Sequence, residues 1–200
     1  MKKFASLLII LWKGNVNIYR NETERSQKPV SDDELVEQIR LGNENAAEEL
    51  IKLYYTSVLR YCRWHCSDFG KAEDLTQETF LKLFKSLPGY EGKQKFKAYL
   101  YKIARNLCID ENRKVPLYPL EEEEAIGKEC KEIIRIEDRA EINELLHVLS
   151  WKQREAVILR FGERLSFEEI GKVTGCSMRT AQSRVRNALK IMRKEWNNER

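Results

Sequence analysis

The side chains best suited to recognise nucleic acid lie between Ser177 and Lys194, near the C-terminal end of the chain. Arginine, glutamine, serine and lysine recur in this segment at helical spacing, and no acidic residue interrupts them. Arginine can donate two hydrogen bonds to guanine and glutamine can pair with adenine, while serine and lysine reach phosphates. The residues that share this predicted helix face are Arg179, Gln182, Ser183, Arg186, Lys190 and Arg193. Their chemistry predicts a surface that binds duplex DNA.

Two helices must position this face. Ser166 with Glu169 forms a capping box, which predicts a helix that begins at Phe167. Gly175 allows a turn, and Ser177 is typical of the cap of a second helix. The core side of that helix is predicted to hold Ala181, Val185, Ala188 and Met192. The pattern favours a DNA-binding helix-turn-helix over an ordinary helical hairpin with a solvated cationic face.

The charge is distributed unevenly along the 200 residues, although the net charge is only +4. Residues 151–200 carry 12 basic and 6 acidic side chains, and residues 93–114 carry 7 and 2. Residues 31–92 carry 7 basic and 12 acidic side chains, and residues 115–150 carry 4 and 10. Two basic segments predict two contacts with nucleic acid, while the acidic segments predict a different partner.

The five cysteines form no paired pattern, which argues against a disulfide framework and for a reducing compartment. Cys62, His65 and Cys66 cluster on one predicted helix and could belong to a metal or redox site. No fourth ligand is evident, so we expect buried thiols and no cofactor.

Residues 1–30 begin with Lys2 and Lys3, followed by a short apolar run from Phe4 to Trp12. This resembles the start of a signal peptide, but no cleavage site follows, and the run is too short to span a bilayer. We expect a poorly ordered extension on a cytoplasmic protein, with a peripheral membrane anchor as the alternative.

Three helices are predicted in the acidic first part of the chain. The first begins after Ser31, which forms a capping box with Glu34, and ends at Gly42. The second runs from Ala46 to about Cys66, with a buried stripe of Leu50, Leu53, Tyr54, Val58 and Tyr61. The third follows a break at 67–70 and has a core side of Ala72, Leu75, Thr79, Phe80, Leu83 and Leu87. Its opposite side holds Asp74, Gln77, Glu78, Leu81 and Lys85.

A loop at 86–94, marked by Pro88 and two glycines, precedes a fourth helix. The inward stripe of this helix is predicted to be Phe96, Leu100, Ile103 and Leu107. The remaining surface mixes cations with aromatic residues, namely Lys97, Tyr99, Tyr101, Lys102, Arg105, Asn106, Arg113 and Lys114. Such a surface can stack on unpaired bases, although simple packing of the aromatic rings is the alternative.

Pro116, Pro119 and the acidic run Glu121–Glu124 predict a linker and a domain boundary. Beyond it, Ser150 with Gln153 caps a further helix that carries Ala156, Val157, Ile158 and Phe161. We predict an all-α protein with domains at 31–114 and 137–200, joined by a linker at 115–136.

Three segments together carry a family resemblance: AEDLTQETF at 72–80, YLYKIARNLCIDENRK at 99–114, and LSFEEIGKVTGCSMRTAQSRVRNALK at 165–190. In this order and spacing the chain resembles, over roughly residues 31–195, the extracytoplasmic-function sigma factors of bacterial RNA polymerase. The resemblance implies two helical domains, called region 2 and region 4. It also implies that the acidic linker threads the polymerase cleft near the path of RNA, although an acidic linker can simply be solvated.

In the family, the DLTQE-type helix docks on the clamp helices of the largest subunit of core polymerase. The resemblance therefore implies that core polymerase binds Asp74, Gln77, Glu78 and Leu81. Carboxylate and amide acceptors beside one apolar anchor suit such a partner, whereas the alternative is a solvated face.

The loop at 86–94 matches the family segment that captures a flipped base of the minus-ten promoter element, and the following helix lies on the melted strand. The implied contacts are Tyr90, Lys93, Lys95, Lys97, Tyr99, Lys102, Arg105, Asn106 and Arg113, with Tyr90 as the stacking residue. The family often carries tryptophan where this chain has Tyr99.

Region 4 of the family reads the minus-thirty-five element in the major groove. The implied contacts are Arg179, Thr180, Gln182, Ser183, Arg184, Arg186, Asn187 and Lys190. Gln182 stands where the family usually has Lys or Arg, and Asn187 where Arg is frequent. These departures predict an altered preferred sequence, because glutamine favours adenine and arginine favours guanine.

The function implied is that of a dissociable promoter-specificity subunit, which is not an enzyme and is regulated by an anti-sigma factor. One rival is a two-domain regulator, which needs no polymerase-docking surface. The other is a recombinase, which needs an activated Ser or Tyr among clustered arginines. The first half shows no such cluster, and the two histidines, His65 and His147, lie in different halves.

Overall fold

The structure, a computed structural model, describes residues 30–66, 68–92, 95–114, 142 and 144–198. The chain divides into two compact units, and the described residues up to 114 belong to one and those from 142 to the other. The described residues form helices and connecting turns without a strand, which confirms the all-α prediction. None of the described helices is long and apolar enough to cross a membrane. The predicted extension up to residue 29, the linker at 115–136 and Lys93 lie outside the described residues, so the domain boundaries stay predictions.

The first unit contains four α-helices among its described residues. These are α1 (Asp32–Arg40), α2 (Glu44–His65), α3 (Phe69–Ser86) and α4 (Phe96–Lys114), with a 3-10 turn at Leu87–Gly89 after α3. Helix α3 packs against α2 and α4, α4 also packs against α2, and α1 packs against α2 and the 3-10 turn. The unit is therefore a small helical bundle in which α1 lies next to the loop that follows α3.

The helix starts follow from local caps. The Ser31 capping box is present, because the Glu34 amide donates to Ser31 Oγ and the Glu34 carboxylate accepts from the Ser31 amide. Gly42, with φ +86°, follows the end of α1. Helix α3 begins two residues before the predicted Lys71, because the Asp68 carboxylate accepts from the Gly70 amide at 2.8 Å.

The predicted core of the first unit is largely confirmed, with two corrections. Leu53 is 42% exposed, because it lies about a quarter turn away from the stripe that Leu50 and Val58 share. Tyr101 was predicted to lie on the surface but is 1% exposed. Its ring meets Tyr61 of α2 edge-on, with centroids 5.3 Å apart. Because α4 packs against both α2 and α3, its buried arc is wider than one stripe.

The second unit is built around a C-terminal helix. Its named elements are α5 (Trp151–Val157), a π-helical turn (Ile158–Gly162), α6 (Phe167–Thr174) and α7 (Met178–Asn198). Helix α7 packs against both α5 and α6. The predicted helix around Ala156 ends in a π turn rather than an α turn, because the Glu163 amide donates to the carbonyl of Ile158, five residues back. The packing against α5 and α6 buries one face of α7.

Candidate nucleic-acid and partner interfaces

The turn between α6 and α7 depends on two glycines. Gly175 ends α6 in the left-handed region at φ +67°, as its predicted role requires. Gly171 was missed by the sequence analysis. A Cβ at Gly171 would lie 2.6 Å from the carbonyl oxygen of Cys176, and the Cys176 amide donates to the Gly171 carbonyl at 2.9 Å. The backbone of the turn can therefore approach Gly171 closely only because this residue has no side chain. A glycine inside a short helical pattern is the sequence signal that could have indicated this role.

Helix α7 starts at a side-chain cap, as predicted. The Thr180 amide donates to Ser177 Oγ at 3.1 Å, and the two hydroxyl oxygens lie 2.8 Å apart. The hydroxyl of Thr180, which the resemblance assigns to DNA, is therefore already engaged with the cap. Residues 177–180, which hold this cap and the first turn of α7, are exposed.

The face of α7 opposite its core side is cationic and exposed. Ala181, Val185, Ala188 and Met192 are buried, as predicted. Of the residues assigned to duplex DNA, Ser183 and Arg184 are half-buried, and the exposed ones are Arg179, Thr180, Gln182, Arg186, Asn187 and Lys190. Met178, which was not among the predicted DNA contacts, is 56% exposed in the first turn of α7. A helix with a cationic face and its first turn in solvent fits the major groove.

Helix α3 presents its polar ridge to solvent. Asp74, Gln77 and Leu81 are exposed and Glu78 is half-buried, in the arrangement that the helical spacing predicts. Leu81 is 53% exposed, although most leucines of this unit are buried. The Glu78 carboxylate lies 3.9 Å from Lys82 Nζ, an exposed pair worth at most about 0.5 kcal/mol.

A cleft of about 660 Å³ lies beside this ridge, between α3 and α4. It is lined by Lys71, Asp74, Leu75, Glu78, Lys82, Leu107, Asp110 and Glu111. Four carboxylates and two ammonium groups surround an apolar floor, so the cleft and the ridge together form one acidic surface that suits a basic partner.

The loop after α3 is held in place by long-range hydrogen bonds. Arg40 at the end of α1 donates to the carbonyl of Leu87 from Nε (3.1 Å) and Nη2 (2.8 Å), and Nη2 also donates to the carbonyl of Tyr90. The Tyr90 hydroxyl donates to Asp33 Oδ1 at 3.0 Å. Burial and then this carboxylate raise the pKa of Tyr90, so its phenol remains a donor.

Tyr90 lies in the core in this structure, and its role at the promoter stays a prediction. It was predicted to stack on a base, but it is 6% exposed. Its ring meets Phe96 edge-on with centroids 6.0 Å apart, and it lies 5.0 Å from the Tyr99 ring. A loop tyrosine between α1 and α4 fills the core, and its ring is therefore unavailable to a base in this conformation.

Helix α4 places most of its assigned residues on one side. At 100° per residue, Tyr99, Lys102, Asn106 and Arg113 share one stripe, which Lys95 precedes. Lys97 falls on the far side of the helix axis, and Arg105 lies at the edge of the stripe. Lys102, Asn106 and Arg113 are exposed, whereas Lys95, Lys97, Tyr99 and Arg105 are half-buried. The structure thus brings four of the assigned residues together and separates Lys97 from them.

The cysteine cluster belongs to the core between α2 and α4. Cys62 and His65 are buried, and within the described part of the chain no group of three His, Cys, Asp or Glu residues is arranged to hold a metal ion. The Cys108 thiol is hydrogen-bonded to the sulfurs of Cys62 and Cys66, which raises the pKa of Cys108 and lowers that of Cys66. The four described cysteines are free thiols.

Comparisons with known proteins agree with this architecture. Residues 50–115 match the family described as Sigma-70 region 2, and residues 139–192 match Sigma-70, region 4. ECF RNA polymerase sigma factor SigC of Mycobacterium tuberculosis is 34% identical over 166 residues, which cover 79% of this chain and 89% of SigC. SigW of Bacillus subtilis is 26% identical over 176 residues, covering 80% and 94%.

Two solved structures share the fold. CnrH, in complex with the cytosolic domain of CnrY, aligns with a TM-score of 0.63 at 20% identity, covering 83% of this chain and 97% of CnrH. The sigma factor RpoE of Bartonella quintana, in complex with the anti-sigma factor NepR, aligns with a TM-score of 0.59 at 24% identity, covering 76% and 98%.

The fold and the exposed surfaces define a two-unit helical protein that binds DNA and a protein partner. The chain belongs to the extracytoplasmic-function sigma factors of the sigma-70 family. It is a sigma factor that acts with core RNA polymerase on promoter DNA in transcription initiation.

Proposed function

We propose that α3 docks this sigma factor on the clamp helices of the largest polymerase subunit through Asp74, Gln77, Glu78 and Leu81. One observation carries this assignment: Leu81 stands 53% exposed amid carboxylate and amide acceptors on a helix whose other side is core. An apolar anchor with a polar rim is the arrangement of a specific protein interface. Basic side chains on the partner would then find acceptors on either side of the leucine.

Helix α7 reads the minus-thirty-five element as duplex. Its cationic face enters the major groove, where Arg179, Gln182 and Arg186 contact base edges and Lys190 contacts phosphate. Its first turn, which begins at the Ser177 cap and is exposed, supports this assignment.

The loop after α3 and the stripe of α4 that holds Tyr99, Lys102, Asn106 and Arg113 bind the melted strand of the minus-ten element. The stripe of Tyr99, Lys102, Asn106 and Arg113 offers one aromatic ring, two cations and one amide along a single line. A backbone of phosphates can follow such a line while bases stack and pair with the side chains between them. Lys95 precedes the same stripe at its loop end, and Lys93, outside the described residues, is proposed to contact the same strand.

The protein has no catalytic activity of its own and works in the cytoplasm, where the polymerase performs the nucleotide chemistry. An anti-sigma factor regulates it. The structural neighbours CnrH and RpoE are bound to CnrY and to the anti-sigma factor NepR, which supports such a partner here.

The test of docking is a charge reversal on α3. We expect Asp74→Arg with Glu78→Arg to abolish co-purification with core polymerase and run-off transcription, because two acceptors become two repelling cations. Glu48→Arg with Glu49→Arg changes the charge equally on exposed positions of α2 and should bind core like the wild type. Far-UV circular dichroism should be unchanged in both. A folded α3 variant that retains core binding would overturn the docking assignment.

A further inference from the structure

We propose that α1 sets the shape of the minus-ten loop, with Arg40 and Asp33 as positioning residues for the reading of the melted strand. This inference rests on the proposed role of the loop and adds to it a determinant that lies outside both reading surfaces. Helix α1 supplies none of the residues assigned to DNA. Its two ends nevertheless hold the loop by side-chain hydrogen bonds over long sequence separations.

The first contact is the guanidinium of Arg40. It donates to the carbonyls of Leu87 and Tyr90, which lie 47 and 50 residues further along the chain. These two carbonyls bracket the 3-10 turn, in which the Tyr90 amide also donates to the Leu87 carbonyl at 3.0 Å. Nη2 donates to both carbonyls, and Nε adds a second bond to Leu87, so the guanidinium grips the Leu87 carbonyl with two donors in a fixed plane. A lysine has a single nitrogen on a flexible stem and lacks this fixed pair of donors.

The second contact is at the other end of α1. Asp33 accepts from the hydroxyl of Tyr90, and a Cβ at Gly92, where φ is +78°, would lie 3.9 Å from the same carboxylate. Tyr90 is thus held by its backbone at Arg40 and by its side chain at Asp33. Together these contacts tie Leu87 and Tyr90 to α1.

The residues of the loop that α1 contacts are buried, and the residues beside them are exposed to solvent. Leu87 and Tyr90 are buried, whereas Pro88, Gly89 and Glu91 are exposed. Pro88 and Gly89 have no polar side chain and lie between Leu87 and Tyr90 in the chain, so their positions follow from those two buried residues. A base captured by this loop therefore meets a surface whose shape depends on Arg40 and Asp33.

The experiment uses holoenzyme assembled from core polymerase and the full-length chain. It selects single-stranded oligonucleotides from a pool randomised across the minus-ten positions, and the bound fraction is sequenced. We expect Arg40→Ala to lower the preference at the captured base and its neighbour by about tenfold. Preferences at the other positions, core binding and affinity for minus-thirty-five duplex should stay within about twofold of the wild type. Arg40→Lys should recover part of the preference, because an ammonium can still donate to these carbonyls but lacks the two fixed donors that the guanidinium directs at Leu87.

Two further variants separate positioning from stability. Tyr90→Phe removes only the hydroxyl that Asp33 accepts, and should weaken the same positions by a smaller factor even if Arg40→Ala fails to fold. Glu37→Ala removes the exposed carboxylate 3.4 Å from Arg40 but leaves both carbonyl bonds, and should select like the wild type. An unchanged profile in folded Arg40→Ala and Tyr90→Phe, or an equal loss at every position, would overturn the inference. If wild-type holoenzyme selects no sequence at all, the proposed role of the loop fails instead.

Discussion

The two surfaces proposed to read DNA are stabilised in different ways. In the second unit, the cap at Ser177 and the turn glycines Gly171 and Gly175 all lie within a few residues of the start of α7. In the first unit, the loop after α3 is held by Arg40 and Asp33, which are 47 to 57 residues away in sequence. One surface is set by local contacts and the other by contacts across the bundle.

This difference matches what each surface is proposed to bind. A duplex presents a rigid groove, so a helix with an intact cap and turn is sufficient to read it. An unpaired strand has no fixed shape, and its bases must find a preformed surface. We infer that changes in the turn should disable one surface and changes in α1 the other, each leaving its counterpart intact.

The largest expected effect is at Gly171. We expect Gly171→Ala to destabilise the second unit by about 3 kcal/mol, because the new Cβ would lie 2.6 Å from a backbone carbonyl oxygen that cannot move independently. Urea unfolding of the full-length chain should show an early transition in this variant. Loss of minus-thirty-five binding should accompany it, while binding of a minus-ten single strand by holoenzyme is retained.

Gly175→Ala is the matched control for that prediction. Its Cβ would meet no atom within 4 Å, but the residue must keep φ +67°, so we expect a smaller cost of about 1 kcal/mol. Equal costs at the two glycines would mean that the close approach at Gly171 is relieved by a shift of the turn.

Arg186 provides the next test, on affinity rather than folding. We expect Arg186→Ala to weaken binding to a minus-thirty-five duplex by about 1–3 kcal/mol if the guanidinium contacts a base. Helix stability should hardly change, because Arg186 is exposed and alanine favours a helix. Lys190→Ala is the control for a phosphate contact and should weaken all duplexes alike. An unchanged affinity would remove Arg186 from the reading face.

Local contacts could be predicted from the sequence, whereas contacts across the bundle could not. Ser166 with Glu169, the buried stripe of α7 and the exposed ridge of α3 follow from spacings of three and four residues, and the structure places them as predicted. The partner of Arg40 could not be predicted, because nothing local relates it to Leu87.

Aromatic residues were misplaced for a similar reason. Tyr90 and Tyr101 carry both a polar hydroxyl and a large apolar ring, so their types allow either surface or core. Only the neighbours decide: Phe96 and Asp33 for Tyr90, and Tyr61 for Tyr101. The roles of the assigned DNA contacts stay predictions, and among those that the structure describes only Tyr90 lies in the core.

The smallest expected effect concerns Met178, the exposed apolar residue in the first turn of α7. Residues in that turn of a recognition helix reach base edges, and a thioether there can contact the methyl group of thymine. Replacing each thymine of the duplex by uracil removes one methyl group at a time. We expect one replacement to cost about 0.8 kcal/mol with the wild type, the value of one buried methylene. With Met178→Ala the same replacement should cost nothing. If uracil weakens both proteins equally, a residue other than Met178 contacts the methyl group. If it weakens neither, no thymine methyl is read.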